Sequence, residues 1–126
     1  NANPDSMKAA LEVLADTPGQ AKIAVLGDMK ELGPDAPALH RSLGHAASRV
    51  PSLALLVAVG EHGPEIASGA GVDLTSAAIQ SVPDAEAALR LLHGMVHEND
   101  VVLVKASRAL GLEKVVHGLL QFPAEE

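Results

Sequence analysis

Leu53-Ala54-Leu55-Leu56-Val57-Ala58-Val59-Gly60 contains the longest apolar run of the chain, and this stretch decides the fold class. An uninterrupted apolar run that ends at a glycine is typical of a strand buried on both faces, because a strand with one wet face alternates apolar and polar residues. We predict a strand over Ala54–Val59. The run is too short to cross a membrane, since a spanning helix needs about 20 apolar residues.

Shorter apolar runs alternate with amphipathic stretches along the rest of the chain. The further predicted strands are Lys22–Leu26, Ala77–Gln80 and Val101–Lys105, and helices are predicted at 4–15, 35–49, 63–69, 83–98 and after residue 110. Strands that alternate with helices build a parallel sheet with right-handed crossovers. We therefore predict one α/β domain over residues 1–126, a three-layer Rossmann-like fold whose mostly parallel sheet is covered by helices on both faces.

Apolar residues at helical spacing predict which side of each helix faces the sheet. These inner positions are Met7, Leu11 and Leu14; Leu39, Leu43, Ala46, Ala47 and Val50; Ala88, Leu89, Leu92 and Val96; and Leu112, Val115, Val116 and Leu119.

Composition argues against several classes of partner and chemistry. The net charge of −7 disfavours a nucleic-acid backbone or an anionic membrane, and the single aromatic residue, Phe122, offers no platform for stacking bases. No cysteine is present, so disulfides and thiol chemistry are excluded. The sequence shows no signal-peptide pattern. We expect a cytoplasmic chain with no nucleic-acid partner and no membrane insertion.

Four loops follow the predicted strands, at the edge where open parallel sheets bind ligands. They are Gly27–Gly33, Gly60–Pro64, Ser81–Asp84 and Lys105–Leu110. In the first loop, Asp28 and Glu31 have side chains suited to a ligand amine or Mg²⁺, or to capping the next turn. In the last loop, Lys105 ends a buried strand and points towards the ligand crevice. Ser107 is a candidate N-cap or ligand contact, and Arg108 adds a second positive charge.

Other familiar site patterns are incomplete. The stretch Gly60–Gly63 lacks the third glycine and the later acidic residue of a dinucleotide fingerprint, which argues against a nicotinamide or flavin site. The chain has no Walker A sequence, so it cannot cradle a triphosphate by itself. His93 and His97 are four apart on a predicted helix, but Gly94 stands where a metalloprotease has glutamate and no third ligand is evident. We predict no metal site in this chain.

The first seven residues, Asn1-Ala2-Asn3-Pro4-Asp5-Ser6-Met7, combine an N-cap residue with a proline at the first helical position. The unpaired N–H groups of such a helix start favour an anion or a nucleotide, and a cap that binds nothing is the alternative. The chain opens inside this motif without an initiator methionine. We expect it to be a part of a longer polypeptide.

Three ordered blocks together resemble the C-terminal domain of the Mur ligases. The blocks are Asn1–Met7, Gly27–Gly33 with His40 following it, and Val104–Arg108, in which Ala106 replaces the usual glycine. The resemblance spans the chain from its first residue to about Leu120. The Asp-Met-x-Glu-Leu-Gly pattern of the second block is similar to the branch of the family that adds D-alanyl-D-alanine to UDP-N-acetylmuramoyl-tripeptide.

The resemblance implies an ATP-dependent amide-bond ligase of peptidoglycan synthesis with three domains. The N-terminal domain and the central ATPase domain, which holds most of the ATP and Mg²⁺ contacts, would lie outside this chain. This domain would close over ATP and the incoming dipeptide while the reaction passes through an acyl phosphate. It would hold no catalytic residue and would be inactive alone, and we expect the whole ligase to be a monomer.

The same resemblance, together with position and charge, assigns the candidate site residues. Asn1 and Asn3 would lie near the nucleotide. The expected dipeptide-binding residues are Lys105, Ser107 and Arg108 for its carboxylate, and Asp28 and Glu31 to orient its ammonium group or brace the loop.

Two other interpretations stay open. One is a non-catalytic binding module with a flavodoxin-like or receiver-like sheet, although the acidic set of a receiver is missing. The other is a sister Mur ligase with a different substrate. One local question concerns Ala106, because alanine would be strained if the usual glycine adopts a positive φ.

Overall fold

The structure, a computed structural model, describes residues 2–75 and 78–121. Its sheet has four strands in the order β3-β2-β1-β4, and every pairing between them is parallel. The strands are β1 (Lys22–Gly27), β2 (Leu53–Val59), β3 (Ile79–Val82) and β4 (Val101–Lys105). The α-helices are α1 (Pro4–Asp16), α2 (Ala36–Ser48), α3 (Gly63–Ala70), α4 (Ala85–His93) and α5 (Glu113–Gln121). The predicted parallel α/β fold is confirmed.

Helices cover both faces of the sheet, which gives the predicted three layers. Helices α1, α2 and α3 pack on one face, where Ala24 and Leu26 of β1 point. Helices α4 and α5 pack on the other face against Ile23 and Val25 of the same strand. Both sets of side chains are buried, so β1 is covered on both sides, as its continuous apolar sequence indicates. None of the described helices is both long and apolar enough to span a bilayer.

Most predicted inner positions are buried, and one is wrong. Met7, Leu11 and Leu14 of α1 are buried, as are Leu112, just before α5, and Val115 within it. Val116 is instead 40 % exposed. The last helix begins only at Glu113, after a 3₁₀ turn over Arg108–Leu110 and a left-handed residue at Gly111. Its start sets which side faces the sheet, and Val116 lies off that side.

Strand β3 and helix α4 differ from their predicted bounds by two residues or more. Strand β3 covers Ile79–Val82, two residues later than predicted; Ala77, its predicted start, lies outside the described residues. Helix α4 ends at His93, not at 98. The His97 N–H group donates to the Asp100 carboxylate at 2.8 Å, so a side chain forms a turn where the helix was expected to continue.

Strand order places a crevice beside β1. The chain leaves β1 towards α2 on one face, and it leaves the neighbouring β4 towards α5 on the other face. Two adjacent strands whose connections diverge in this way leave a gap at their carboxyl ends, where open α/β sheets bind ligands.

Candidate functional site

A cleft of about 260 Å³ lies at the carboxyl edge of the sheet, between the loops that follow β1 and β4. Its position is the gap that the strand order predicts. The cleft joins all three sequence blocks of the chain, because each block supplies part of its wall. The lining residues are Ala2, Lys30, Glu31, Ser107, Arg108 and Ala109.

Ser107 is the buried polar group of this cleft. It is 8 % exposed, and its Oγ has no hydrogen-bond partner among the described residues. It occupies the N-cap position of the 3₁₀ turn Arg108–Leu110 but makes no side-chain capping bond. A buried hydroxyl without a partner costs free energy, so this oxygen is available to a ligand or a water molecule in the cleft.

The two cations of the third block have different positions. Arg108 lines the cleft and is exposed. Lys105 ends β4 opposite Leu26, is half-buried, and is not one of the residues that line the cleft. Ala106, between them, is unstrained, because the non-glycine residues with positive φ in the described part of the chain are Glu31, Ser52 and Asn99. Ala106 lies close to Gly27, at which an added Cβ would be 2.8 Å from the Ala106 Cβ.

Glu31 has a strained backbone in the wall of the cleft. Its φ is 61°, in the left-handed region that costs a non-glycine residue about 1–2 kcal/mol. Gly33, two residues on, has a φ of 68°, so the loop turns sharply here. Strained residues of this kind concentrate at functional sites, where the surrounding structure holds them in place.

Asp28 joins the loop after β1 to the loop after β2. Its carboxylate is buried, with 2 % of the residue exposed, and accepts the N–H groups of Glu61 at 3.1 Å and His62 at 2.8 Å. Gly60 permits this approach, because an added Cβ there would be 2.6 Å from Asp28 Oδ2. The Asp28 carbonyl oxygen accepts the Ser107 N–H at 2.9 Å. Asp28 thus contacts two neighbouring loops and does not line the cleft.

His40 holds the same loop from helix α2. It is fully buried, its Nε2 accepts the Met29 N–H at 3.0 Å, and its Nδ1 lies 2.6 Å from the Ala36 carbonyl oxygen. Its ring stacks on that of His62, with centroids 4.2 Å apart and planes inclined by 21°. The His62 Nδ1 is 3.5 Å from the Glu65 carboxylate.

Burial lowers the pKa of His40 below its usual 6.5 and is the largest influence on it. The hydrogen bond from the His40 ring to the Ala36 carbonyl oxygen opposes this shift, because it raises the pKa. Electrostatic repulsion from His62 lowers the pKa of His40 further, whereas the carboxylates of Asp28 and Glu65 raise it. His40 is therefore neutral at pH 7.

The N-terminal block forms a capped helix start, as its sequence predicts. The Asn3 Oδ1 accepts the Ser6 N–H at 2.9 Å, and the Asn3 N–H donates to the Ser6 hydroxyl at 3.1 Å. Asn3 is exposed, and its side-chain amide group remains to donate to a ligand. Ala2 links this helix start to the cleft, and Asn1 lies outside the described residues.

The described residues do not fit a metal ion. Within residues 2–75 and 78–121, no three His, Asp or Glu side chains are arranged to hold one. His93 is the last residue of α4, whereas His97 lies in the turn that follows. Asp28, which suits Mg²⁺ by its position in the sequence, uses its carboxylate on two backbone N–H groups.

Sequence reasoning missed Lys30 and the structural role of His62. Lys30 lies between the two carboxylates that the pattern emphasises, and its place in a loop after a buried strand was the available signal. The contacts of His62 depend on the packing of α2 against α3, which spacing along the chain does not reveal.

Comparison with known proteins identifies the family. Residues 1–108 match the family model described as Mur ligase, glutamate ligase domain. The chain is 40% identical to UDP-N-acetylmuramoyl-tripeptide--D-alanyl-D-alanine ligase of Mycobacterium tuberculosis, with 95% of the chain and 27% of the relative covered. The enzyme of that name from Escherichia coli is 36% identical, with coverages of 94% and 25%.

Solved structures agree with the sequence comparison. A MurF crystal structure from Acinetobacter baumannii matches with a TM-score of 0.84 and 33% identity, over 96% of this chain and 26% of that one. MurF ligase from Thermotoga maritima in complex with ADP matches with a TM-score of 0.79 and 29% identity, over 100% of this chain and 28% of that one. The chain spans about a quarter of the length of these relatives. This chain belongs to the Mur ligase family.

Proposed function

We propose that this chain is the C-terminal domain of an ATP-dependent ligase that adds D-alanyl-D-alanine to UDP-N-acetylmuramoyl-tripeptide. The observation that carries the proposal is the cleft in which all three sequence blocks meet. The names of the relatives support the choice of substrates. The N-terminal and central domains of a three-domain enzyme belong to the remainder of the polypeptide.

In the proposed reaction, a carboxylate oxygen of the tripeptide takes the γ-phosphoryl group of ATP, which gives ADP and an acyl phosphate. The dipeptide amine then attacks the acyl carbon, loses a proton, and displaces phosphate as the amide bond forms. Positioning and electrostatic stabilisation dominate the catalysis of phosphoryl transfer. Because this chain has no Walker A sequence, most ATP and Mg²⁺ contacts come from the central domain, and the chain alone has no ligase activity.

The charges of the cleft suit a dipeptide zwitterion. Arg108 presents a guanidinium group that binds a carboxylate through two parallel hydrogen bonds, and Lys30 adds a positive charge nearby. The unpartnered Ser107 hydroxyl donates to the same carboxylate. Glu31 complements the ammonium end. Lys105 contributes long-range attraction from the end of β4.

The hydrogen bonds of Asp28 support a role in bracing the loop, one of the two roles that its sequence position left open. Its buried carboxylate holds the backbone of Glu61 and His62 and does not line the cleft. Dipeptide orientation by Asp28 is therefore indirect, through the shape of the loop that it anchors.

The start of α1 contributes to the nucleotide side of the site. Asn1 and Asn3 contact ATP, with the exposed Asn3 amide as a donor. Closure of this domain onto the central domain brings this helix start to the nucleotide and excludes water from the acyl phosphate. Such a ligase acts as a cytoplasmic monomer in cell-wall biogenesis, on which cell shape and cell division depend.

Phosphate release by the full-length parent protein tests this function. The assay contains ATP, Mg²⁺ and UDP-N-acetylmuramoyl-tripeptide, with D-alanyl-D-alanine or, as a matched control, L-alanyl-L-alanine. We expect phosphate release and formation of the amide product with D-alanyl-D-alanine but not with L-alanyl-L-alanine. Phosphate release that instead requires a different amino acid, added in place of the dipeptide, indicates a sister Mur ligase. A folded parent that releases no phosphate with either dipeptide or with an amino acid indicates a non-catalytic binding module.

A further inference from the structure

We propose that His40 is a positioning residue that fixes the shape of the cleft through the Met29 N–H group, and that a second proton on its imidazole releases the loop. The functional meaning of this role rests on the proposed function, because the cleft is the dipeptide site only in that account. The contacts themselves do not depend on the substrate.

Its two hydrogen-bond partners fix the tautomer of His40. The Ala36 carbonyl can only accept a hydrogen bond, so the proton is on Nδ1, 2.6 Å away. The Met29 N–H can only donate, so Nε2 must offer its lone pair, at 3.0 Å. A proton added to Nε2 would point at another proton. Protonation of His40 and the bond to Met29 are therefore mutually exclusive.

The bond to Met29 acts on the cleft through the chain itself. Met29 is buried, and it follows Asp28, whose carbonyl and carboxylate oxygens are bonded to the loops after β4 and β2. The next two residues, Lys30 and Glu31, line the cleft. The loop thus has anchors from three sides, and His40 is the anchor from helix α2.

The surroundings of His40 keep it neutral, and the ring that stacks on it is partly exposed to solvent. The His62 ring stacks on the His40 ring, and the Ala36 carbonyl of the same helix α2 accepts a hydrogen bond from it. Two carboxylates also face His40: Asp28 from the loop after β1, and Glu65 from α3. Burial outweighs the attraction of the two carboxylates, so the pKa of His40 lies below its usual value. The His62 side chain is 24% exposed and connects the pair to solvent.

Hydrogen exchange at the Met29 amide in the full-length parent protein tests the positional contact. His40→Leu keeps apolar volume but removes the acceptor, and we expect exchange of this amide to accelerate about tenfold or more, the order expected when a buried donor loses its partner. His40→Gln supplies an oxygen acceptor without a titrating ring, so protection should stay within about threefold of wild type. His45→Gln, a half-exposed histidine on the same helix, is the matched control and should change nothing at Met29.

The proton-dependent part is tested by repeating the exchange between about pH 7.5 and 5.5, the range in which histidine titrates, after correction for intrinsic rates. We expect the Met29 amide of wild type to lose protection on acidification, whereas that of His40→Gln keeps it. Equal losses in both proteins, or unchanged protection in a folded His40→Leu variant, would overturn the inference.

Steady-state kinetics separate this inference from the proposed function. If the parent is the proposed ligase, His40→Leu raises the KM for D-alanyl-D-alanine about tenfold or more and leaves that for ATP within about twofold. Equal changes in both KM values would mean a general structural role and would overturn positioning. If the parent shows no ligase activity, the proposed function fails, while the exchange data still decide the contact of His40 with Met29.

Discussion

At the scale of single residues, Glu31 is expected to lower the stability of the fold while it contributes to binding of the dipeptide. Its left-handed backbone is unfavourable for any residue with a side chain, yet its carboxylate lies at the cleft. Glu31→Gly relieves the strain, and we expect the free energy of unfolding to rise by up to about 1 kcal/mol while the dipeptide KM also rises. Urea unfolding and steady-state kinetics of the parent protein measure the two effects. A clear loss of stability would show that the side chain has a structural role.

Replacing Asp28 should lower the free energy of unfolding, in contrast to Glu31, because its buried carboxylate accepts two backbone N–H groups. In Asp28→Asn the new amide group faces one of these donors, and we expect the free energy of unfolding to fall by about 1–3 kcal/mol. Asp5→Asn, at an exposed position in the first turn of α1, is the control, with a change of less than about 0.5 kcal/mol. Equal urea midpoints for both variants would contradict the bracing role.

Residue-level patterns predicted the position of the cleft better than its contacts. The blocks around Glu31 and Arg108 meet at the carboxyl ends of β1 and β4, because parallel strand ends share an edge whatever the loop details. The burial of Asp28 and the stacking of His40 on His62 could not be predicted from spacing, since both depend on how separate loops and helices pack. The roles assigned to the cleft residues stay predictions.

At the scale of elements, strong periodicity predicted the strands and helices, and competing local bonds set their ends. Strand β2 was predictable because a short, continuous apolar run that ends at a glycine is typical of a buried strand. The end of α4 was not predictable. Val96 continues the apolar period of the helix, but the Asp100 carboxylate accepts the His97 N–H and forms a turn there instead. The start of α5, and therefore the side that faces the sheet, was also not predictable, since it depends on the left-handed conformation of Gly111.

The packing of α2 against α3 depends on glycines at their contact. A Cβ added at Gly44 would collide with the Ile66 carbonyl oxygen, which does not yield like a flexible side chain. We expect Gly44→Ala to lower the free energy of unfolding by about 2 kcal/mol or more and to disturb the stacking of His40 on His62, as both rings depend on this contact. Gly94→Ala, whose Cβ would be 3.9 Å from its nearest neighbour, is the control for urea unfolding. Similar midpoints would contradict this close contact.

At the scale of the whole molecule, the buried His40 makes stability depend on pH. Its pKa is lowered in the folded state, so as the pH falls below about 6.5 the unfolded chain takes up a proton first, and unfolding becomes more favourable. The stabilisation is complete above that pH and is lost as the pH falls towards the folded pKa. We expect the urea midpoint of wild type to drop between about pH 7.5 and 5.5, and that of His40→Gln to drop less. Parallel curves would contradict this assignment.

The dipeptide KM of Arg108→Ala in the full-length parent tests most directly that the cleft binds the incoming dipeptide. Loss of a charge-assisted pair should raise this KM by about tenfold or more, and Lys105→Ala should raise it less, while the ATP KM stays within about twofold. Arg41→Ala, an exposed arginine on α2, is the matched control with no effect on either KM. An unchanged dipeptide KM in a folded, active Arg108→Ala enzyme would contradict the account and place the dipeptide elsewhere.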